Sequence, residues 1–209
     1  MKPLIALAFL SIYPCMIHAA WTVNYSYDIN APIPDNSGVG LSDTQHVTTA
    51  ITSISEVNVQ LAMSGGWSGD LYAYLRHGSG FAVLLNRPGR SLNELLGSGT
   101  NDLSVVFADN ALSDIHTGIP SLGTVSGLFQ PDAREIDPDN ALDTSPRTAF
   151  LSSFEGLDAN DDWILYVADV ATGDTMIFEG WTLTITGVPE PTQVALGLLG
   201  GLLLMRRRR

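Results

Sequence analysis

The sequence predicts an all-β protein, an antiparallel β-sandwich or jelly roll lying between two terminal signals. Three observations lead there. Several stretches alternate apolar and polar residues one by one, most cleanly Trp21–Ile29 and Ile54–Met63, and that is the period of a half-buried strand. Glycine-rich turns such as Ser64-Gly-Gly-Trp-Ser-Gly-Asp70 and His77-Gly-Ser-Gly80 separate the stretches, as hairpins require. Between the two ends no stretch sustains a helical period, so many short strands must cover one another in sheets.

Met1-Lys2 gives a positive start, Pro3–Ile12 is mostly apolar, and Ile17-His-Ala-Ala20 places small residues before Trp21. This is the pattern of a secretory signal peptide over residues 1–20, cleaved after Ala19 or Ala20. Cys15 raises the alternative of an acylated lipoprotein cysteine, which Tyr13-Pro14 fits poorly. One β-sandwich domain is then expected over residues 21–187. Trp21, Val23, Tyr25, Tyr27 and Ile29 share one face of its first strand. Ala31–Gly40, with two prolines and two glycines, reads as loop. In the next strand Val57, Val59, Leu61 and Met63 point inward.

Leu71–Arg76 and Phe81–Asn86 make a hairpin, and Arg87-Pro-Gly-Arg90 breaks it. Ser91–Leu96 suits one helical turn, and Leu103–Phe107 is a strand. Asp109–Leu128 has a weak pattern and reads mostly as loop; Pro131–Pro146, acidic and proline-containing, reads as surface loop. Thr148–Phe154 reads as a short helix or irregular link. Trp163–Val170 is apolar at nearly every position, which predicts burial on both faces. After Ala171-Thr-Gly-Asp174 the chain returns as Thr175–Thr186, with Trp181, Leu183 and Ile185 opposite Thr182, Thr184 and Thr186.

Charge narrows the partners. The whole chain has 10 Lys+Arg against 22 Asp+Glu, a net charge of −12. The part between the signals keeps five arginines, no lysine and 21 acidic residues, a net charge of −16. Nucleic acid is excluded as a partner, because phosphate contacts need cationic surface. Divalent cations are natural counterions, although acidity also serves simply to keep an exported protein soluble. The sole cysteine, Cys15, falls in the signal, so the domain is expected to be held by its core, without disulfides.

Catalytic chemistry is thinly represented. His46, His77 and His116 have no accompanying nucleophile block; the glycines of His77-Gly-Ser-Gly80 suit a turn, and the serine of Gly66-Trp-Ser-Gly69 precedes glycine directly. No catalytic residue is therefore assigned. Asp158, Asn160 and Asp162 alternate like calcium-loop ligands, but Trp163 occupies the tight-turn glycine position, so an EF-hand is rejected. The better metal hypothesis is calcium shared between loops by Asp70, Asp109, Asp169 and Asp174, each at or near a strand end; turn capping competes with it at every one. Trp67, Tyr72 and Tyr74 suggest a carbohydrate platform, against packing under a loop or inside the sandwich.

The C-terminal stretch has three parts: Val188-Pro189-Glu190-Pro191, an apolar run from Val194 to Met205, and Arg206, Arg207, Arg208 and Arg209. The prolines keep the chain extended, the apolar run can enter a bilayer, and the arginines hold its end on the cytoplasmic side. An ordinary membrane anchor is the competing reading, for which the run is short. These 22 residues resemble a PEP-CTERM sorting signal, found on exported proteins of Gram-negative bacteria that make exopolysaccharide. The resemblance implies reading by an exosortase-type transpeptidase, transient inner-membrane anchoring, and release to the cell surface or extracellular polysaccharide matrix.

From about Ile54 to Gly187 the chain resembles the P domain (P/Homo B domain) of kexin- and furin-like proteases. The matching residues are Gly69-Asp70-Leu71 with Leu75, Asn86-Arg87-Pro88-Gly89, Phe107-Ala-Asp109-Asn-Ala111, Phe154-Glu-Gly156, Asn160–Asp169 and Gly180-Trp181-Thr-Leu183. The resemblance implies a jelly-roll β-sandwich that is non-catalytic and that stabilises or regulates a serine protease. Arg76-His-Gly-Ser-Gly80 departs from that family's turn, and no protease domain accompanies the module. The expected roles are an exported structural or binding module, an accessory domain for a separate subtilisin-like endopeptidase, or a calcium-dependent carbohydrate-binding module.

Overall fold

A strand that alternates buries one face, so a partner sheet must cover it. The computed structural model describes residues 20–189 and places β1 (Trp21–Pro32), β2 (Leu41–Val47), β3 (Ile51–Ser64), β4 (Leu71–His77), β5 (Gly80–Asn86), β6 (Gly99–Phe107), β7 (Leu122–Phe129), β8 (Asp161–Asp169) and β9 (Ile177–Pro189) in two sheets. One runs β1-β9-β3-β6-β7, the other β2-β8-β4-β5. The pairs are antiparallel apart from β6–β7, which is parallel. The all-β sandwich is thus as expected.

Between the sheets lie Val57, Val59, Leu61 and Met63 of β3, Leu103, Val105 and Phe107 of β6, and Trp181, Leu183 and Ile185 of β9. Facing them are Leu71, Ala73 and Leu75 of β4 and Trp163, Leu165 and Val167 of β8. All are at most 3% exposed, and burying each such large apolar side chain contributes about 1.5–3 kcal/mol.

The structure departs from the sequence expectations at several places, each with a local cause. Leu41–Val47, a stretch without clean apolar alternation, is a strand whose inward positions 43 and 45 are polar. Asp43 is satisfied there, accepting from Trp181 Nε1 at 2.7 Å and from Gln45 Nε2 at 2.9 Å. The expected loop Asp109–Leu128 contains a short helix, α1 (Ile115–Gly118), capped by Asp114 accepting from His116 N. It also holds all of β7 except Phe129; this strand lacks apolar alternation and carries Gly123 and Gly127 at φ +91° and +124°. Ser91–Leu96 forms no helix. Of Trp163–Val170, only one face is fully buried; Ile164 and Tyr166 on the other are half-buried.

The loop after Pro131 is not wholly at the surface. Arg134 is 2% exposed and Asp132 fully buried. Arg134 reaches Asp114 at 3.0 Å and Asp132 at 3.1 Å, and donates to the carbonyls of Leu142 and Asp143. This side chain therefore ties the β7–β8 connection together from beneath.

β9 continues past Gly187: Val188 pairs with Ser53 and Pro189 with Ile51. Ala20 is exposed and precedes β1. The signal peptide through Ala19, and Glu190, Pro191 and Arg206 to Arg209 of the tail, lie outside the described residues. Among the described residues no helix is long and apolar enough to cross a membrane.

Candidate functional site

At one end of the sandwich three connections meet. A 3-10 turn at Ser68–Asp70 leads into β4, and β4 pairs with β8 so that Leu71 opposes Asp169. The carbonyl of Asp70 accepts from Val170 N at 2.8 Å, and the carbonyl of Asp169 from Ser37 N at 2.8 Å. The β1–β2 loop is thereby drawn over the strand ends and brings Asp35, whose Oδ1 accepts from Gly173 N at 3.2 Å.

The electrostatics are one-sided. Asp169 is fully buried. Its Oδ1 accepts from Ala171 N at 3.3 Å, while its Oδ2 is buried without a hydrogen-bond partner. Burial pushes its carboxyl up to about 6, the Ala171 amide opposes that, and the charges of Asp70 and Asp35 add to it. Asp70 is pushed up as well, chiefly by burial, with Arg87 opposing and Asp35 and Asp174 adding. Arg87, in the left-handed region at φ +50° just after β5, donates from Nε to Gly69 O at 3.1 Å and only loosely, at 3.5 Å, to Asp70 Oδ1. One guanidinium thus faces several carboxylates.

The four aspartates expected to share a metal are not together. Asp70 and Asp169 are adjacent, and Asp174 is exposed on the β8–β9 turn near them. Asp109 is elsewhere. It caps the 3-10 turn Leu151–Phe154, accepting from Leu151 N and Ser152 N. Ser153 of that turn bonds Phe81 beside the β4–β5 turn, at the end of β4 opposite Asp70. Asp35 joins this end with no sequence signal beyond its place in a loop with two prolines.

A second acidic group lies on the β2–β8 edge. His46 Nδ1 is 2.9 Å from Asp162 Oδ1 and 3.9 Å from Asp161 Oδ1, and all three are exposed. Asp158 belongs to a turn instead: its carboxylate accepts from Asn160 N and Nδ2, which holds it below the usual range.

The other histidines are built into the fold. His77 stacks on Trp163 with centroids 4.1 Å apart and planes at 1°, and its ring nitrogens lie 3.0 Å from Asp162 O and 2.7 Å from Asp158 O. His116, 1% exposed, places Nδ1 2.8 Å from Asp132 Oδ2 and Nε2 2.8 Å from Arg90 O. Ser68 is buried and donates to Ser98 O at 3.2 Å. Neither ring has a free nitrogen turned to a serine, which a triad base needs.

Tyr72 and Tyr74 are on the outer face of their sheet, not inside the sandwich. Tyr74 stacks on Tyr166 at 4.8 Å and 21° and tilts on Phe81 at 5.2 Å. These half-buried rings cover one another more than they offer open faces. Trp67, also half-buried, sits by Gly99 at the other sheet.

The fold and site define a two-sheet β-sandwich with an acidic loop cluster. No protein-family model matches the chain, and no curated protein does. Two solved structures are similar in fold: the complex of the Aeromonas sobria serine protease and its chaperone, at 14% identity and TM-score 0.47, and the serine protease of Aeromonas sobria, at 15% identity and TM-score 0.46. Each match covers 81% of this chain and 27% of the other, so this chain spans about a quarter of their length.

Proposed function

We propose that this chain is an exported, non-catalytic β-sandwich module, sorted through its C-terminal segment to the cell surface or extracellular matrix and acting there in structure or binding. What supports the non-catalytic part is the use of His77 and His116, whose ring nitrogens are all engaged by carbonyls or a buried carboxylate. What supports the sorting part is the order of motif, apolar run and arginines in Val188–Arg209. Mass spectrometry of the protein recovered outside the producing cell tests it. A C-terminus near Val188 is expected, and one retaining Arg206 to Arg209 sinks the sorting reading.

A second reading, an accessory domain for a separate subtilisin-like protease, is favoured by where the resembling segments fall. Asn160–Asp169 takes in the whole of β8, and Gly180–Leu183 lies within β9. Co-purification with a soluble subtilase is the outcome that supports it.

A further inference from the structure

We propose that His46, Asp161 and Asp162 form a site for a divalent transition-metal ion, zinc by its donor set, on the β2–β8 edge. The site goes beyond the export reading and does not depend on it. Its central observation is convergence. One ligand atom from each residue lies within 4.8 Å of the others, and among the described residues this is the one such group of three. His46 Nδ1 is 2.9 Å from Asp162 Oδ1 and 3.9 Å from Asp161 Oδ1. Zinc bonds of about 2.0–2.2 Å at the tetrahedral angle set neighbouring donor atoms about 3.3–3.6 Å apart. The two observed separations bracket that edge, so small side-chain rotations seat the ion without moving a strand.

The backbone brings the three together. β2 and β8 pair so that His46 stands directly opposite Asp162, and opposite residues share a face. Asp161, one position earlier, would ordinarily point to the other face. Its φ of +107° departs from strand geometry, and its Oδ1, which accepts from Asp162 N at 2.9 Å, comes round to the histidine. The donor set selects the ion: an imidazole with two carboxylates suits zinc, whereas calcium and magnesium take oxygen ligands. The other two histidines of the sandwich, His77 and His116, are 3% and 1% exposed, and their ring nitrogens are engaged. Three protein ligands leave a fourth tetrahedral position for water or a small ligand. There is room for one, because Asp161 and Asp162 also line an open cleft of about 500 Å³ with Arg76, Leu157 and Ile164.

The test is zinc titration of the untagged full chain after chelator treatment, read by calorimetry, with cobalt(II) as a coloured substitute read by visible absorption. The wild type should take up one equivalent of zinc saturably and give the intense visible bands of tetrahedral cobalt. H46Q, D161N and D162N should each weaken zinc affinity tenfold or more and bleach the cobalt bands. All three side chains are exposed, so these variants should melt like the wild type in chelator, which separates loss of the site from loss of the fold. D174N, at the other end of the sandwich, should bind as the wild type does. Non-saturable zinc uptake by the wild type, calcium bound as tightly as zinc, or unchanged zinc affinity in H46Q each overturns the site.

Discussion

A single carboxylate can set the pH profile of this domain. Asp169 lies at about 6 in the folded chain because burial and its acidic neighbours disfavour its charge, whereas an unfolded aspartate lies near about 3.9. A carboxyl raised on folding stabilises the native state fully while protonated, below the unfolded value, and that contribution is lost as pH rises through the folded one. In chelator, melting temperature should therefore fall between about pH 4 and pH 7, and D169N should flatten that fall. A wild-type profile that rises across this window contradicts it.

His77 is the second residue with a large expected effect. H77F keeps a ring against Trp163 but leaves the carbonyls of Asp158 and Asp162 without their partner. A loss of about 1–3 kcal/mol is expected on chemical denaturation, with amide protection falling most in the segment from Asp158 to Trp163.

At the scale of elements, the β4–β5 hairpin turns where Gly80 faces Phe154. A Cβ there would collide with that buried ring, so G80A should cost about 1–3 kcal/mol by overpacking. The β7–β8 connection depends instead on Arg134. R134A removes the cation shared by Asp132 Oδ1 and Asp114, leaving the buried Asp132 only His116 and the Asn86 amide, and should cost about 3–5 kcal/mol, read as a lowered denaturation midpoint with an unchanged slope.

These two elements also show what the chain alone makes legible. β3 and β9 are readable residue by residue because Val57, Val59, Leu61, Leu183 and Ile185 are apolar and buried at every second position. β2 is not, because Asp43 and Gln45 point inward and become tolerable only once Trp181, far along the chain, supplies a donor. The acidic site divides the same way. That Asp70, Asp109 and Asp169 stand at strand ends follows from local pattern. Which end of the sandwich each occupies depends on strand order, and Asp109 lies at the other one. Asp35 sits in a loop with no periodicity, so its place at the site follows only from the Ser37–Asp169 and Asp35–Gly173 bonds.

Over the whole molecule, the two sheets are interlocked rather than sequential. The chain passes from one sheet to the other between β1 and β2, β2 and β3, β3 and β4, β5 and β6, and on both sides of β8. Neither sheet is a segment that could be cut away. A chain truncated before Ile177 should show no cooperative thermal transition and no dispersed amide spectrum, since β1 would lose its neighbour β9 and β3 one of its two.

The last strand of the domain thus lies between the first strand and the third. The chain must be made through β9 before the larger sheet can close, and β1 waits for a partner more than a hundred residues away. Pairings at such separation are slow to form. A nascent chain emerging through a channel, N-terminus leading, would stay open until its final strand came free, which is the state a secretion pore can thread.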